Sequence, residues 1–257
     1  MLLKTSLKKL LLLTGFISLG ATAQATVTAQ SYTWDFSNPS AVMGGTFTNK
    51  GITSTNETIK GVETSAFSGG YGWELETSTF KDMLNAAQGN EGTLTFSFDI
   101  SWGGNNTVET IFHIAQINKG VSLGLDNGKI GLVNNNLNRG QDGSSKVPNN
   151  AISLTASTWT SVTVSLLGSS VSITLDPTGG EASSYTTTLS TIEWNSTEEA
   201  ENTKYSIGSK APGYSAEQLN GSKIANLSVS YAPIPEPATA TLTVMALAGL
   251  MLRRRRA

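Results

Sequence analysis

Thr93-Leu-Thr-Phe-Ser-Phe-Asp-Ile-Ser-Trp102 is the stretch that decides how this chain folds. Leu94, Phe96, Phe98, Ile100 and Trp102 alternate with Thr93, Thr95, Ser97, Asp99 and Ser101. Successive strand side chains point to opposite faces, so one face here is strongly apolar and the other rich in hydroxyls. That pattern predicts a strand with one face on a core and one in water, as antiparallel sheets provide.

The same period continues on both sides. Val121, Leu123 and Leu125, the turn Asp126-Asn127-Gly128, and Lys129 to Leu132 predict a hairpin, because Asn-Gly accepts the positive φ of a tight turn. Val162, Val164 and Leu166, the turn Gly168-Ser169, and Val171, Ile173 and Leu175 predict a second. Tyr32, Trp34 and Phe36 near the start, and Ala225, Leu227, Val229 and Tyr231 near the end, each place apolar groups on one side of a strand. These two are expected to pair and bring the ends of the domain together. Gly and Asn clusters such as Gly69-Gly70, Gly103-Gly104-Asn105-Asn106 and Asn134-Asn135-Asn136 punctuate the strands. Short helical turns are expected only at Phe80 to Ala87 and at Thr197 to Asn202, the latter capped by Ser196 or Thr197. The fold class is all-β, one antiparallel sandwich over residues 26–232.

The ends read differently. Residues 1–25 begin with Lys4, Lys8 and Lys9, continue through an apolar run from Leu10 to Leu19 and close on Ala21-Thr22-Ala23-Gln24-Ala25. Basic, apolar and small-residue zones in that order predict a secretory signal peptide, removed by signal peptidase. Residues 233–257 hold Pro235-Glu236-Pro237, a mostly apolar stretch from Ala238 to Leu252, and Arg253-Arg254-Arg255-Arg256. As a helix that stretch is about 22 Å long, short of a ~30 Å hydrocarbon core, which suits a temporary membrane stop. The arginines would stay on the cytoplasmic side and leave the body outside.

Composition narrows the chemistry. The 257 residues carry a formal charge of -2, but setting aside Lys4, Lys8, Lys9, Glu236 and the four terminal arginines leaves 10 bases and 18 acids. An acidic body lacks the basic face a nucleic-acid binder needs. Without cysteine there is no disulfide framework, thiol nucleophile or Cys-zinc site. His113, the single histidine, excludes any His-rich metal centre.

Pro235, Glu236 and Pro237, the apolar helix and Arg253, Arg254, Arg255 and Arg256 together resemble the bacterial PEP-CTERM sorting signal. The resemblance implies processing by an exosortase and delivery to the cell surface or extracellular matrix, with the C-terminal helix a transient transmembrane anchor. The strand order resembles the laminin G-like, concanavalin A-like jelly roll. It is carried by residues 93–102, 109–116, 121–133, 155–177, 205–213 and 222–231, with Trp159, Val162 and Val164 in a Trp-x-x-Val-x-Val segment. That family implies glycan or protein binding, often with calcium, and sometimes glycanase activity.

A glycosidase needs two carboxylates across the sugar. Glu74 and Glu76 are the best sequence pair, with Asp99 or Glu109 as a further acid, although the Glu-x-Asp-x-Glu strand of this fold's glucanases is missing. His113, in Ile111-Phe-His-Ile114, is expected to be a partly buried, hydrogen-bonded strand residue. Ca²⁺ would find oxygens in Asn134 to Asn150, which includes Asp142, or in Glu198 to Glu201. Tyr71, Trp102, Trp194 and Tyr214 are the candidate aromatic platforms for a glycan. Asn-x-Ser/Thr sequons begin at Asn56, Asn105, Asn195, Asn220 and Asn226 and reflect the Ser/Thr-rich composition. The expectation is a non-catalytic glycan- or matrix-binding module at the cell surface; a secreted glycoside hydrolase and a purely structural matrix component are its rivals.

Overall fold

The computed structural model describes residues 27–34, 36, 53–69, 73–74, 77–105, 107–114, 121–134, 152–188, 206–208 and 219–234. The signal peptide, Pro235-Glu236-Pro237 and the arginine cluster lie outside them.

Two sheets make the domain, as the alternation requires. The strands are β1 (Gln30–Thr33), β2 (Thr53–Ile59), β3 (Val62–Ser68), β4 (Trp73–Glu74), β5 (Gly92–Ser101), β6 (Val108–Ile114) and β7 (Val121–Asp126). They continue as β8 (Lys129–Asn134), β9 (Ile152–Ser153), β10 (Trp159–Leu167), β11 (Ser170–Pro177), β12 (Ser183–Thr188), β13 (Ser206–Ile207) and β14 (Lys223–Pro233). The larger sheet, A, runs β12-β11-β10-β5-β14-β3-β2, with β1 also on β14; sheet B runs β4-β13-β6-β7-β8-β9. Every ladder among these strands is antiparallel.

β5 sits in the middle of sheet A and turns Leu94, Phe96, Phe98 and Ile100 into the core. Val162, Val164 and Leu166 beside it, Val171, Ile173 and Leu175 beyond them, and Leu227, Val229 and Tyr231 on its other flank complete the apolar face. From sheet B, Ile111, Phe112, Leu123, Leu125 and Ile130 meet them. Phe96 and Phe112 stack at 4.6 Å between ring centroids and join the two sheets. Both expected hairpins form, β7–β8 through Asn127-Gly128 and β10–β11 through Gly168-Ser169, and β1 pairs with β14.

Two expectations need correction. The short turn expected at Phe80 to Ala87 is a twelve-residue helix, α1 (Thr77–Gln88). Phe80, Met83, Leu84 and Ala87, at helical spacing, are all fully buried, so tertiary packing holds a helix whose first turn has no acid to favour it. It ends at Asn90 in the left-handed region, φ 61°, with Glu91 N–H bonded back to the Ala86 carbonyl. The second correction concerns Ala225, expected on the same side as Leu227, Val229 and Tyr231. A bulge between Ala225 and Ser228, with Asn226 at φ 51°, sends Ala225 to the outer face instead. There it packs with Ile59, Ala66 and Trp159 in a second small apolar cluster, under the β2–β3 hairpin. The helical turn expected at Thr197 to Asn202 lies outside the described residues.

The register also sets which end is which. Gln30 pairs with Tyr231 and Gly92 with Pro233, so the chain enters and leaves sheet A at one end. Ser101 pairs with Lys223, which puts residues 102–105 and 219–222 at the opposite end, and Trp102 packs there against the Asn127-Gly128 turn.

Candidate functional site

The end away from the termini brings together Asn105, Asn220 and Glu109. Asn105 Nδ2 donates to the Asn220 carbonyl, and Gly103 N–H donates to Ser222 Oγ at 3.2 Å. These bonds tie the loop after β5 to the loop before β14. Behind them lies Glu109, fully buried at the start of β6. It accepts hydrogen bonds from the Ser222 hydroxyl, the Asn220 backbone N–H and Thr107 Oγ1. Oε2 of the same carboxyl is buried without a partner. Burial disfavours the charged form and lifts the carboxyl from 4.5 to about 7, although the three donors pull the other way. A carboxyl at that value carries its proton about half the time near neutrality.

Trp102 closes the same end. Its ring lies so close over Gly128 that a Cβ there would meet Trp102 Cζ3 at 2.7 Å, and Gly128 sits at φ +76°. Only glycine fits both demands. Trp102 is half-buried on the core, with Nε1 buried and unpartnered, so it caps the sandwich and supports the loops more than it offers a free ring face. Tyr71, Trp194 and Tyr214 lie outside the described residues.

A second polar group runs across sheet B. His113 is buried on β6 and shares a 2.7 Å hydrogen bond between Nδ1 and Ser122 Oγ, as a satisfied strand histidine should. The backbone register places Ser206 beside His113 and Glu74 beside Ser206. His113, Ser122 and Ser206 are each no more than 1% exposed, so the arrangement is an internal network with no open approach to a nucleophile. Ser122 and Ser206 were not flagged by the sequence, because a serine in an alternating strand signals the polar face whether or not that face is later covered.

The remaining acid is placed elsewhere. Asp99 is on the outer face of β5, where Ser161 Oγ donates to it at 2.5 Å and Asn226 Nδ2 at 2.6 Å. The bulge that displaced Ala225 is what delivers Asn226. Lys60, at the tip of the β2–β3 hairpin, bonds Ser161 Oγ and Asp176, while Lys223 pairs with Glu57 and holds the Glu57 carboxyl below its usual range. Asp99 and Glu109 thus belong to separate networks with no shared partner. Glu76, the loop beyond Asn134 that contains Asp142, and Glu198 to Glu201 lie outside the described residues. Among the described residues no three His, Asp or Glu side chains converge as a metal site, and no helix is long and apolar enough to cross a membrane.

No protein-family model matches this chain, and no curated protein does. Among solved structures it is similar to domain 4 of AbnA, a GH43 extracellular arabinanase from Geobacillus stearothermophilus, in complex with arabinotriose. The identity is 17%, over 74% of this chain and 80% of that one, with a TM-score of 0.45. It is also similar to peanut lectin with a nine-residue peptide, at 13% identity over 81% of this chain and 99% of that one, TM-score 0.40. A mutant Trypanosoma rangeli sialidase displaying trans-sialidase activity matches at 12% identity over 70% of this chain and 27% of that one, TM-score 0.40.

Proposed function

We propose that this chain is an exported bacterial surface or matrix protein, sorted by an exosortase, whose laminin G-like jelly-roll body is a non-catalytic glycan- or matrix-binding module. One observation carries the sorting half: Pro235-Glu236-Pro237, an apolar stretch of marginal spanning length and Arg253 to Arg256 follow one another on a chain that opens with an export signal. Entry and exit of the body at one end of sheet A support the same reading. A tail held in the inner membrane leaves the Asn105, Asn127 and Asn220 end directed away from it.

The binding half draws on that far end. Asn127 and Asn220 are exposed and Asn105 half-exposed, and a cluster of side-chain amides and backbone groups suits neutral polyhydroxylated ligands. Asp99 and Glu109, offered by the sequence for hydrolysis, are each engaged in internal hydrogen bonds, which favours binding over cleavage.

Mass spectrometry of the native exported protein tests the sorting: Arg253 to Arg256 are expected to be missing, and an intact C-terminus would refute it. A glycan array probed with the exported protein, with calcium and with chelator, tests the binding. Signal in either condition supports it, loss on chelation assigns Ca²⁺ to the site, and silence in both removes the glycan reading. Release of reducing sugar from any arrayed glycan would replace it with the hydrolase.

A further inference from the structure

The contacts that close the far end of the sandwich converge on one carboxyl. Glu109 receives the Asn220 N–H and the Ser222 hydroxyl from the loop before β14, and Thr107 Oγ1 from the segment between β5 and β6. The bonds between the loops run through the same residues: Gly103 N–H reaches Ser222 Oγ, and Asn105 Nδ2 reaches the Asn220 carbonyl. Where the loops cross, backbone meets backbone, since a Cβ on Gly103 would stand 2.5 Å from the Gly221 carbonyl carbon. Glu109 and Ser222 are 0% exposed, so the closed loops keep solvent from a carboxyl whose Oε2 has no donor. An oxygen left bare in that way costs far more on a charged group than on a neutral one.

We propose that Glu109 is a proton-controlled latch: protonated, it holds the 103–105 and 219–222 loops closed over the end of the sandwich, and its ionisation favours their parting while the two sheets stay together. The sense follows from the two environments. Closed, the carboxyl is dry and short of one donor; parted, both of its oxygens reach water and it behaves as an ordinary glutamate. The closed form therefore binds the proton more tightly. Closure is strongest below the ordinary glutamate range and weakens as pH rises through the closed-form value. Parting can stay local because neither loop belongs to a ladder: β14 begins at Lys223, paired with Ser101 and Ser68, and Gly208 N–H remains bonded to the Ile111 carbonyl.

Residues 102–105, 107 and 219–222 carry no ionisable side chain. On the neighbouring strands the titratable groups are Asp126, buried opposite Val108 and paired in register with Lys129, and Lys223, beside Ser222 and ion-paired with Glu57. His113 lies four positions along β6, bonded to Ser122. An imidazole also titrates near neutrality, so a variant at Glu109 itself must separate the two. For the binding role proposed above, on which this consequence rests, a ligand bridging Asn105 and Asn220 selects the closed form. It takes up a proton as it binds, and its affinity falls as pH rises.

Native-state amide exchange on the exported protein, corrected for the intrinsic effect of pH on exchange, is the test. With the carboxyl at about 7 closed and 4.5 parted, protection at Gly103 and Asn220 should fall about thirtyfold between pH 5.5 and pH 8.5. Val164 and Ile173, inside the β10–β11 ladder, should keep theirs. Glu109→Gln should flatten the pH dependence, and Ser222→Ala, which cuts the relay from Gly103, should speed exchange at Gly103 at both pH values. If Glu109→Gln does not fold, the contrast between Gly103 and Ile173 in the unaltered protein still decides. Protection at Gly103 and Asn220 that ignores pH, that falls in step with Ile173, or that falls equally in Glu109→Gln would overturn the latch. Exchange needs no ligand, so silence on the glycan array would remove the binding role and leave the latch standing.

Discussion

Sheets A and B are built from the same strand chemistry and use it differently. Around β5, sheet A alternates along most of the strand: Leu94, Phe96, Phe98 and Ile100 are buried and Thr93, Thr95 and Ser97 only half-buried, with Asp99, bonded to Ser161 and Asn226, the buried exception. In sheet B every residue from Glu109 to His113 and from Ser122 to Asp126 is buried, polar and apolar alike. Sheet A therefore owes its place mainly to non-directional apolar burial. Sheet B must in addition satisfy hydrogen bonds in its interior, and each group it leaves short is costly. The difference between general packing and specific polar pairing is where the molecule can be broken most informatively.

The packing side should give the largest effect. Phe96 stacks on Phe112 and lies 5.6 Å from Phe80, so it joins sheet A to sheet B and to α1 at once. Phe96→Ala should cost about 3 to 5 kcal/mol through lost burial and a cavity, read as a fall in the urea midpoint. A loss below ~1 kcal/mol would mean that the two sheets are not coupled through this ring.

Next comes Glu109. Its carboxyl stands at about 7 in the folded protein against 4.5 for an ordinary glutamate, so between those values the folded state holds more proton than the unfolded. Stability must then fall as pH rises through that window, by on the order of 3 kcal/mol once the carboxylate is fully charged. Chemical denaturation at pH 4.5 and at pH 8 should show the fall, and Glu109→Gln, which keeps an acceptor without a charge, should largely abolish it. A pH dependence unchanged in that variant would assign the titration to another group.

These two residues mark how far the sequence could be read. Phe96 was legible because burial on one face of a strand imposes period two, and one strand carries the whole signal. The hairpins at Asn127-Gly128 and Gly168-Ser169 were legible for a similarly local reason, since turn chemistry lies in neighbouring residues. Glu109 was visible only as an acid on a strand. Its burial depends on Ser222 and Asn220, more than a hundred positions along the chain, and no local pattern encodes that approach. Ala225 failed for the converse reason: alternation was extrapolated through Asn226, and a bulge inserts one residue without announcing itself. The length of α1 was missed because Thr77-Ser-Thr79 favours caps and strands, and the buried Phe80, Met83 and Leu84 decide the matter through tertiary contact.

On the polar side of the comparison, Ser122→Ala should be smaller than either. It leaves His113 Nδ1 buried without its 2.7 Å partner, a loss of about 1 to 3 kcal/mol. Ser172→Ala, on the half-buried outer face of sheet A, supplies the contrast and should stay within ~0.5 kcal/mol. Equal losses at the two serines would erase the distinction between the sheets.

The last contrast lies within the β2–β3 hairpin, which covers part of the outer face of sheet A and sets a weak ion pair against apolar burial. Its tip end is held by the apolar cluster of Ile59 with Ala66, Ala225 and Trp159, and by Lys60, which bonds Ser161 Oγ and forms a 2.9 Å ion pair with Asp176. The ion pair is 45% and 55% exposed at its two side chains, so water and salt screen most of its attraction. Asp176→Asn should cost less than ~1 kcal/mol and only at low salt. Ile59→Ala removes buried apolar area instead and should cost ~2 kcal/mol or more, independent of salt. Amide exchange at Ile59 and Val62 separates local from global consequences: Ile59→Ala should speed it while β10–β11 stays protected, and Asp176→Asn should barely move it. If Asp176→Asn released the hairpin as fully as Ile59→Ala, the tip would be held by charge, and the outer face of sheet A would share the dependence on specific polar pairing that otherwise sets sheet B apart.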